Sequence, residues 1–130
     1  MCSTVVHDVM LGPLPEASGL ALSTRSPGMM WSMNDSGLPE VFSLDQTGRV
    51  IGRVRITGAY VNNWEDVTVA PCGSGSCLYV ADTGNGGGTQ RNDVVLYRIL
   101  EPSVTDTHTP PAEALASSWK ILSATWNVDA

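Results

Sequence analysis

Short apolar stretches closed by Gly, Pro, Asn, Asp or Ser recur along most of this chain. That rhythm predicts β-strands joined by turns. Leu20 to Leu22, Met30 to Met33, Val41 to Leu44 and Val50 to Ile56 form a first group of four predicted strands. Val67 to Val69, Leu78 to Ala81, Val94 to Ile99 and a last strand near Trp119 to Ala124 form a second. Val5 to Val9 is a candidate leading strand. Asp45-Gln46-Thr47-Gly48 joins the last two strands of the first group, with Gly48 available for a positive φ. Pro102, Pro110 and Pro111 predict a long irregular connection before the final strand. The pattern predicts no helix; the one candidate for a short one is Ala112 to Ser118, with Pro111 at its first position.

The two groups repeat each other. Ser18-Gly19-Leu20-Ala21-Leu22-Ser23 matches Glu65-Asp66-Val67-Thr68-Val69-Ala70 at a shift of 47, and the same shift lays Asn34-Asp35-Ser36-Gly37 on Ala81-Asp82-Thr83-Gly84. A period of about 40–50 residues with about four strands per unit is the pattern of propeller blades. The expected fold is therefore all-β: about two four-stranded antiparallel blades, one near residues 15–57 and one near 62–124, in a single partial β-propeller domain. A β-sandwich with coincidental turns is the structural rival.

Composition narrows the partners. The 130 residues suit one globular domain, with 42% hydrophobic and 15% charged residues. The formal net charge of -6 argues against nucleic acid and against an anionic membrane surface, both of which need basic patches. No apolar run approaches the ~20 residues of a membrane span. The first residues, Met1 to Leu14, do not read as a signal peptide, because His7 and Asp8 interrupt the apolar stretch and no basic start precedes it. Cys72 and Cys77 bracket Gly73-Ser74-Gly75-Ser76, either as a disulfide clamping the loop, which implies an oxidising compartment, or as two free thiols. Cys2 is left over, in the terminal stretch.

In an up-and-down blade, the loop entering the first strand and the loop between the second and third strands lie at the same end. Glu16, Asn34, Asp35, Glu65, Asp66, Asp82 and Asn85 should therefore converge. Glu65 and Asp66 are the candidate catalytic carboxylates, as Glu is a poor turn residue. Glu16, Asn34, Asp35, Asp82 and Asn85 are the candidate metal ligands, since an all-oxygen set suits a hard cation such as calcium. The same face could take a small polar, polyhydroxylated or phosphorylated ligand. Asp35 and Asp82 also have a structural reading, because Asp before Ser/Thr-Gly commonly bonds the backbone of its own turn. Trp64 reads more as packing under its loop than as a ligand platform, and Arg91 as a partner for Asp82 or Asp93. No Gly-x-Ser-x-Gly elbow occurs, and His7 and His108 lie far from these loops in sequence, so a Ser-His-Asp triad has little support. The Gly84-Asn85-Gly86-Gly87-Gly88 run lacks the Lys and the helix of a phosphate loop.

Five blocks in order carry a family resemblance: Glu16-Ala17-Ser18-Gly19-Leu20-Ala21; Trp31 to Asn34-Asp35-Ser36-Gly37; Asn63-Trp64-Glu65-Asp66-Val67; Leu78-Tyr79-Val80-Ala81-Asp82-Thr83-Gly84-Asn85 to Arg91; and Tyr97-Arg98 to Glu101-Pro102. The string resembles bacterial six-bladed propellers of the phytase-like or esterase-like type, over roughly Pro15 to Pro102. The resemblance implies a secreted or periplasmic protein about twice this long, with polar motif residues at the mouth of a central channel. More distantly, the chain is similar to calcium-dependent lactonase-type propellers. By motif position, Glu16, Asn34, Asp35, Glu65, Asp66, Asp82 and Asn85 are the counterparts of the residues that hold their metal. Two departures stand out. Thr83-Gly84-Asn85 replaces the family's usual Gly-Asp-Asn, and the sequence stops where that family would begin a third blade.

Two blades leave open faces and edges, which are an aggregation hazard. The chain is thus expected to be a piece of a longer protein, a homo-oligomer completing the propeller, or a different compact β-fold. The leading functional expectation is a binding or scaffold module with an acidic loop face for a cation or polar ligand. The alternatives are a divalent-cation-dependent hydrolase of phosphate or carboxylic esters and an inactive gene fragment.

Overall fold

The computed structural model describes residue 3 and residues 10–85, 91, 93–103 and 112–122. Within them the chain is all-β, with nine strands and no helix. The first four are β1 (Ala17–Leu22), β2 (Met30–Asn34), β3 (Glu40–Leu44) and β4 (Val50–Thr57). Next come β5 (Trp64–Cys72), β6 (Gly75–Asp82) and β7 (Asp93–Leu100). The last two are β8 (Ala112–Leu115) and β9 (Ser117–Leu122). They form two sheets, ordered β1-β2-β3-β4-β8 and β5-β6-β7-β9. Every described pair is antiparallel except β4–β8. The eight strands expected in the two groups are present, each within a few residues of its predicted bounds. The candidate strand Val5 to Val9, Cys2, His7 and His108 lie outside the described residues.

One candidate element and one expectation from the sequence need correction. The helix candidate from Ala112 to Ser118 is instead β8, the break at Ala116, and the start of β9. A stretch this short gains little as an isolated helix, whereas the open edge of β4 offers ladder bonds from Val54 to Thr57. The first sheet accordingly has five strands rather than four.

The second correction concerns the repeat. Both sheets begin with the same irregularity: a bulge between Ala17 and Gly19 in β1, and between Trp64 and Asp66 in β5. Leu20 pairs with Ser32, and Val67 pairs with Val80. The first strands therefore correspond at a shift of 47, but the second strands at 48. Asn34, opposite Ala17, is the counterpart of Asp82, opposite Trp64. Asp35, which sequence similarity lays on Asp82, corresponds instead to Thr83. A slip of one residue changes the face of every side chain. Met33 and Val80, matched by sequence, stand on opposite faces of the repeat, and they look alike because both fill one core from two sides.

That core lies between the sheets. The first sheet supplies Ala21, Trp31, Met33, Val41, Val54 and Ile56; the second supplies Trp64, Val67, Leu78, Val80, Val95, Tyr97 and Ile99. Each fully buried aliphatic side chain contributes roughly 1.5–3 kcal/mol relative to exposure. Trp64 is a packing residue: its ring is fully buried, 6.1 Å from that of Tyr97, and its Nε1 donates to Tyr60 O at 2.9 Å. A smaller cluster of Leu14, Phe42 and Leu44 lies on the opposite face of the first sheet, with Leu11, Met30 and Val50 against it.

Candidate functional site

The starts of β1 and β5 and the ends of β2 and β6 meet at one end of the two sheets, as the up-and-down order requires. In the first sheet, Asn34 ties the entering loop to the strand: Glu16 N donates to its Oδ1 at 3.1 Å, and its Nδ2 donates to Pro13 O at 3.2 Å. Asp35 N donates to Glu16 O at 3.1 Å, and Ser36 Oγ donates to Glu16 Oε2. In the second sheet Asp82 does the work of Asn34. Asn63 N donates to its Oδ1 at 2.9 Å and Asn62 N to its Oδ2 at 3.1 Å. Arg91 Nη1 completes the set, donating to Asp82 Oδ1 at 2.7 Å and to Gly84 O at 3.0 Å. Asp82 is buried, and both of its oxygens are engaged. Arg91 is thus the expected partner of Asp82, whereas Asp82 holds the backbone of the loop entering β5 rather than that of its own turn.

The two loop clusters are joined. Trp64 N donates to Asp35 O at 3.0 Å, and Ser18 Oγ donates to Trp64 O at 2.7 Å. Gly19 lets the bulged strands approach: a methyl group there would sit 2.8 Å from Val67 N and 3.0 Å from Asp66 Cα. Asp66 is exposed, and its Oδ1 accepts from Val67 N at 2.8 Å. Glu16 and Glu65 are exposed as well. The Glu65 carboxylate and the Asn63 amide cover Gly84, whose missing side chain leaves room for both. Asn85 is exposed just beyond β6.

The seven predicted residues therefore share one end of the molecule but divide by role. Asn34 and Asp82 hold loops, while Glu16, Glu65, Asp66 and Asn85 face solvent. Asp35 lies between, half-buried, with its Oδ1 buried and without a hydrogen-bond partner. Among the described residues, no three His, Cys, Asp or Glu side chains gather as a metal-ligand set. Asn63, outside the predicted set, joins the cluster through both its backbone and its side chain. Its position one residue before Trp64, matching Glu16 before Ala17, was the available signal.

The opposite end holds a cluster that sequence reasoning missed. Glu101, just past β7, is 2% exposed. It accepts from Ser23 Oγ, from Thr24 Oγ1 at 3.0 Å, from Arg25 N at 3.3 Å, from Trp31 Nε1 at 3.0 Å and from Ser76 Oγ. Burial pushes its carboxyl up, but the bonds from Ser23, Ser76, Trp31 and Thr24 outweigh it and hold the group below the usual carboxylate value. Arg25 Nη1 donates to Glu101 O at 2.8 Å. One carboxylate thus pins the two sheets together. Cys72 and Cys77, across the neighbouring β5–β6 hairpin, form a disulfide. Comparison with protein-family models, with curated proteins and with solved structures gave no match.

Proposed function

We propose that the chain is a pair of β-propeller blades acting as a binding module, whose acidic end takes a divalent cation, calcium foremost, and through it a small polar ligand. The supporting observation is the convergence of two equivalent loop clusters, joined through Asp35 O and Trp64 N, that leave Glu16, Glu65 and Asp66 exposed and one buried Asp35 oxygen unpartnered. Buried carboxylate oxygens without partners are uncommon and call for an explanation such as an ion or a water. The donors are oxygens, which suits a hard cation. With no three carboxylates gathered among the described residues, its remaining ligands are backbone carbonyls and water. Binding is favoured over catalysis because the most buried carboxylate at this end, Asp82, is committed to the backbone and Arg91. The disulfide suits an oxidising compartment, and with it a secreted or periplasmic protein.

Calcium chloride titrated into the protein in a calorimeter is expected to give a saturable heat, which the double variant Asp35→Asn/Glu65→Gln removes without loss of fold. An absence of saturable heat in the parent protein overturns the reading. Calcium-dependent turnover of p-nitrophenyl phosphate or acetate, lost in Asp66→Ala, would replace binding by hydrolysis.

A further inference from the structure

The two sheets do not pack through equivalent faces. Ladder pairing makes Leu20, Leu22, Met30, Phe42 and Leu44 of the first sheet the counterparts of Val67, Val69, Leu78, Tyr97 and Ile99 of the second. The second set faces the shared core, whereas the first set lies on the face turned away from it. Conversely, Trp31, Met33 and Val41 face the core, while their counterparts Tyr79, Ala81 and Leu96 lie on the outward face of the second sheet. A head-to-tail contact of this kind leaves one unused copy of each half of the interface.

The connector repeats as well. Residues 58–61 run between the sheets, with Ala59 in the core, Val61 packed against it, and Tyr60 N donating to Tyr97 Oη at 3.2 Å. At the shift of 47, residues 11–14 correspond to it on the outward face of the first sheet: Leu14, the counterpart of Val61, packs on Phe42, the counterpart of Tyr97, while Pro13 has no N–H to repeat the Tyr60 bond. That face is laid out as an inter-sheet face with its connector in place. Beside the connector, Leu20 and Leu22 are 61% and 71% exposed.

We infer that a second copy of this chain docks head to tail on this molecule, the outward face of its second sheet, with Tyr79, Ala81 and Leu96, covering Leu20 and Leu22 of the first. The contact continues the interface already formed within the chain, with the same residue positions on both sides. It rests on the blade reading of the two sheets but not on cation binding at the acidic end.

The test is mass in solution by light scattering, on the full chain and on two variants, Leu20→Arg and Leu96→Arg. Each variant damages one face and leaves the other intact. The parent protein is expected at two or more times the 13.8 kDa of one chain, and each variant alone at one chain. An equimolar mixture of the variants is expected at two chains, because each supplies the face the other lacks. Leu22→Arg, at a more exposed position, repeats the first arm should Leu20→Arg perturb folding, with near-ultraviolet circular dichroism as the check. A parent protein that stays monomeric overturns the inference. So does a variant that remains oligomeric, which would show contact through equivalent faces, and so do monomeric variants that fail to pair when mixed. Calcium titration of the same samples reads the acidic end separately, so a failure of either proposal is distinguishable from a failure of the other.

Discussion

At the scale of single residues, the two acidic turns show how one position does the same job with different chemistry. Asn34 and Asp82 both accept a backbone N–H from the residue before the first strand of their sheet. Asp82 adds Arg91 because a buried carboxylate needs a countercharge, where an amide does not. Two glycines near these turns should respond in opposite ways to the same change. A methyl group at Gly19 meets backbone atoms of Val67 and Asp66, which cannot move without shifting β5. Gly19→Ala is expected to cost about 1–3 kcal/mol, the range for overpacking, read from the urea midpoint. A methyl group at Gly84 meets the far ends of Glu65 and Asn63, which can swing away. Gly84→Ala is expected to change stability by less than about 1 kcal/mol while weakening calcium binding in the calorimeter, because it displaces Glu65.

At the scale of elements, β5 and β6 form the longest hairpin, paired from Trp64–Asp82 to Cys72–Gly75. Gly73, with φ 59°, supplies the left-handed residue of its turn. The disulfide closes a loop with a sequence separation of 5 just behind that turn. So short a loop limits the chain entropy that the bridge removes from the unfolded state. The double variant Cys72→Ser/Cys77→Ser is expected to lose about 2 kcal/mol. Thermal unfolding checks this: reductant should lower the midpoint of the parent protein and leave that of the variant unchanged. The other informative element is the run from β8 to β9. Ala116, whose N donates to Thr57 O at 3.0 Å, carries the chain from the outer edge of the first sheet to that of the second. The sheets are thereby tied at their outer edges by one continuous segment.

At the scale of the molecule, Glu101 carries the largest share of polar connection between the sheets. Replacing it with Ala strands Trp31 Nε1, Ser23 Oγ and Ser76 Oγ beside a buried gap. Hydrogen bonds to a charged group contribute roughly 1.5–3 kcal/mol. We expect Glu101→Ala to lose about 3 kcal/mol and lower the unfolding temperature by roughly 10 °C. The same group sets an acid limit. Its folded-state value lies below the ordinary one, despite the opposing effect of burial, because its hydrogen bonds favour the ionised form. Its contribution is therefore complete above the unfolded-state value near 4.5 and is lost as pH falls through the lower folded-state value. Urea midpoints between neutral and acid pH should fall more steeply in the parent protein than in Glu101→Gln. Equal slopes would remove Glu101 from the acid response.

The strands were legible in the sequence because each is a short apolar run closed by turn residues, and that local pattern already fixes which stretches extend. The common end of Glu16, Asp35, Glu65 and Asp82 was legible too, since antiparallel order alone puts those loops together. Three things were decided by tertiary structure. The register of β2 and β6 is set by their ladder pairing with β1 and β5, which makes Asn34 the counterpart of Asp82, whereas resemblance between the two turns suggested a different match. The stretch from Ala112 to Leu115 became a strand because β4 offered it an open edge. Glu101 became the pin because folding brings Ser23, Trp31 and Ser76 around it from far along the chain. Local sequence fixes backbone preference, but a hydrogen bond between distant residues exists only after the sheets have met.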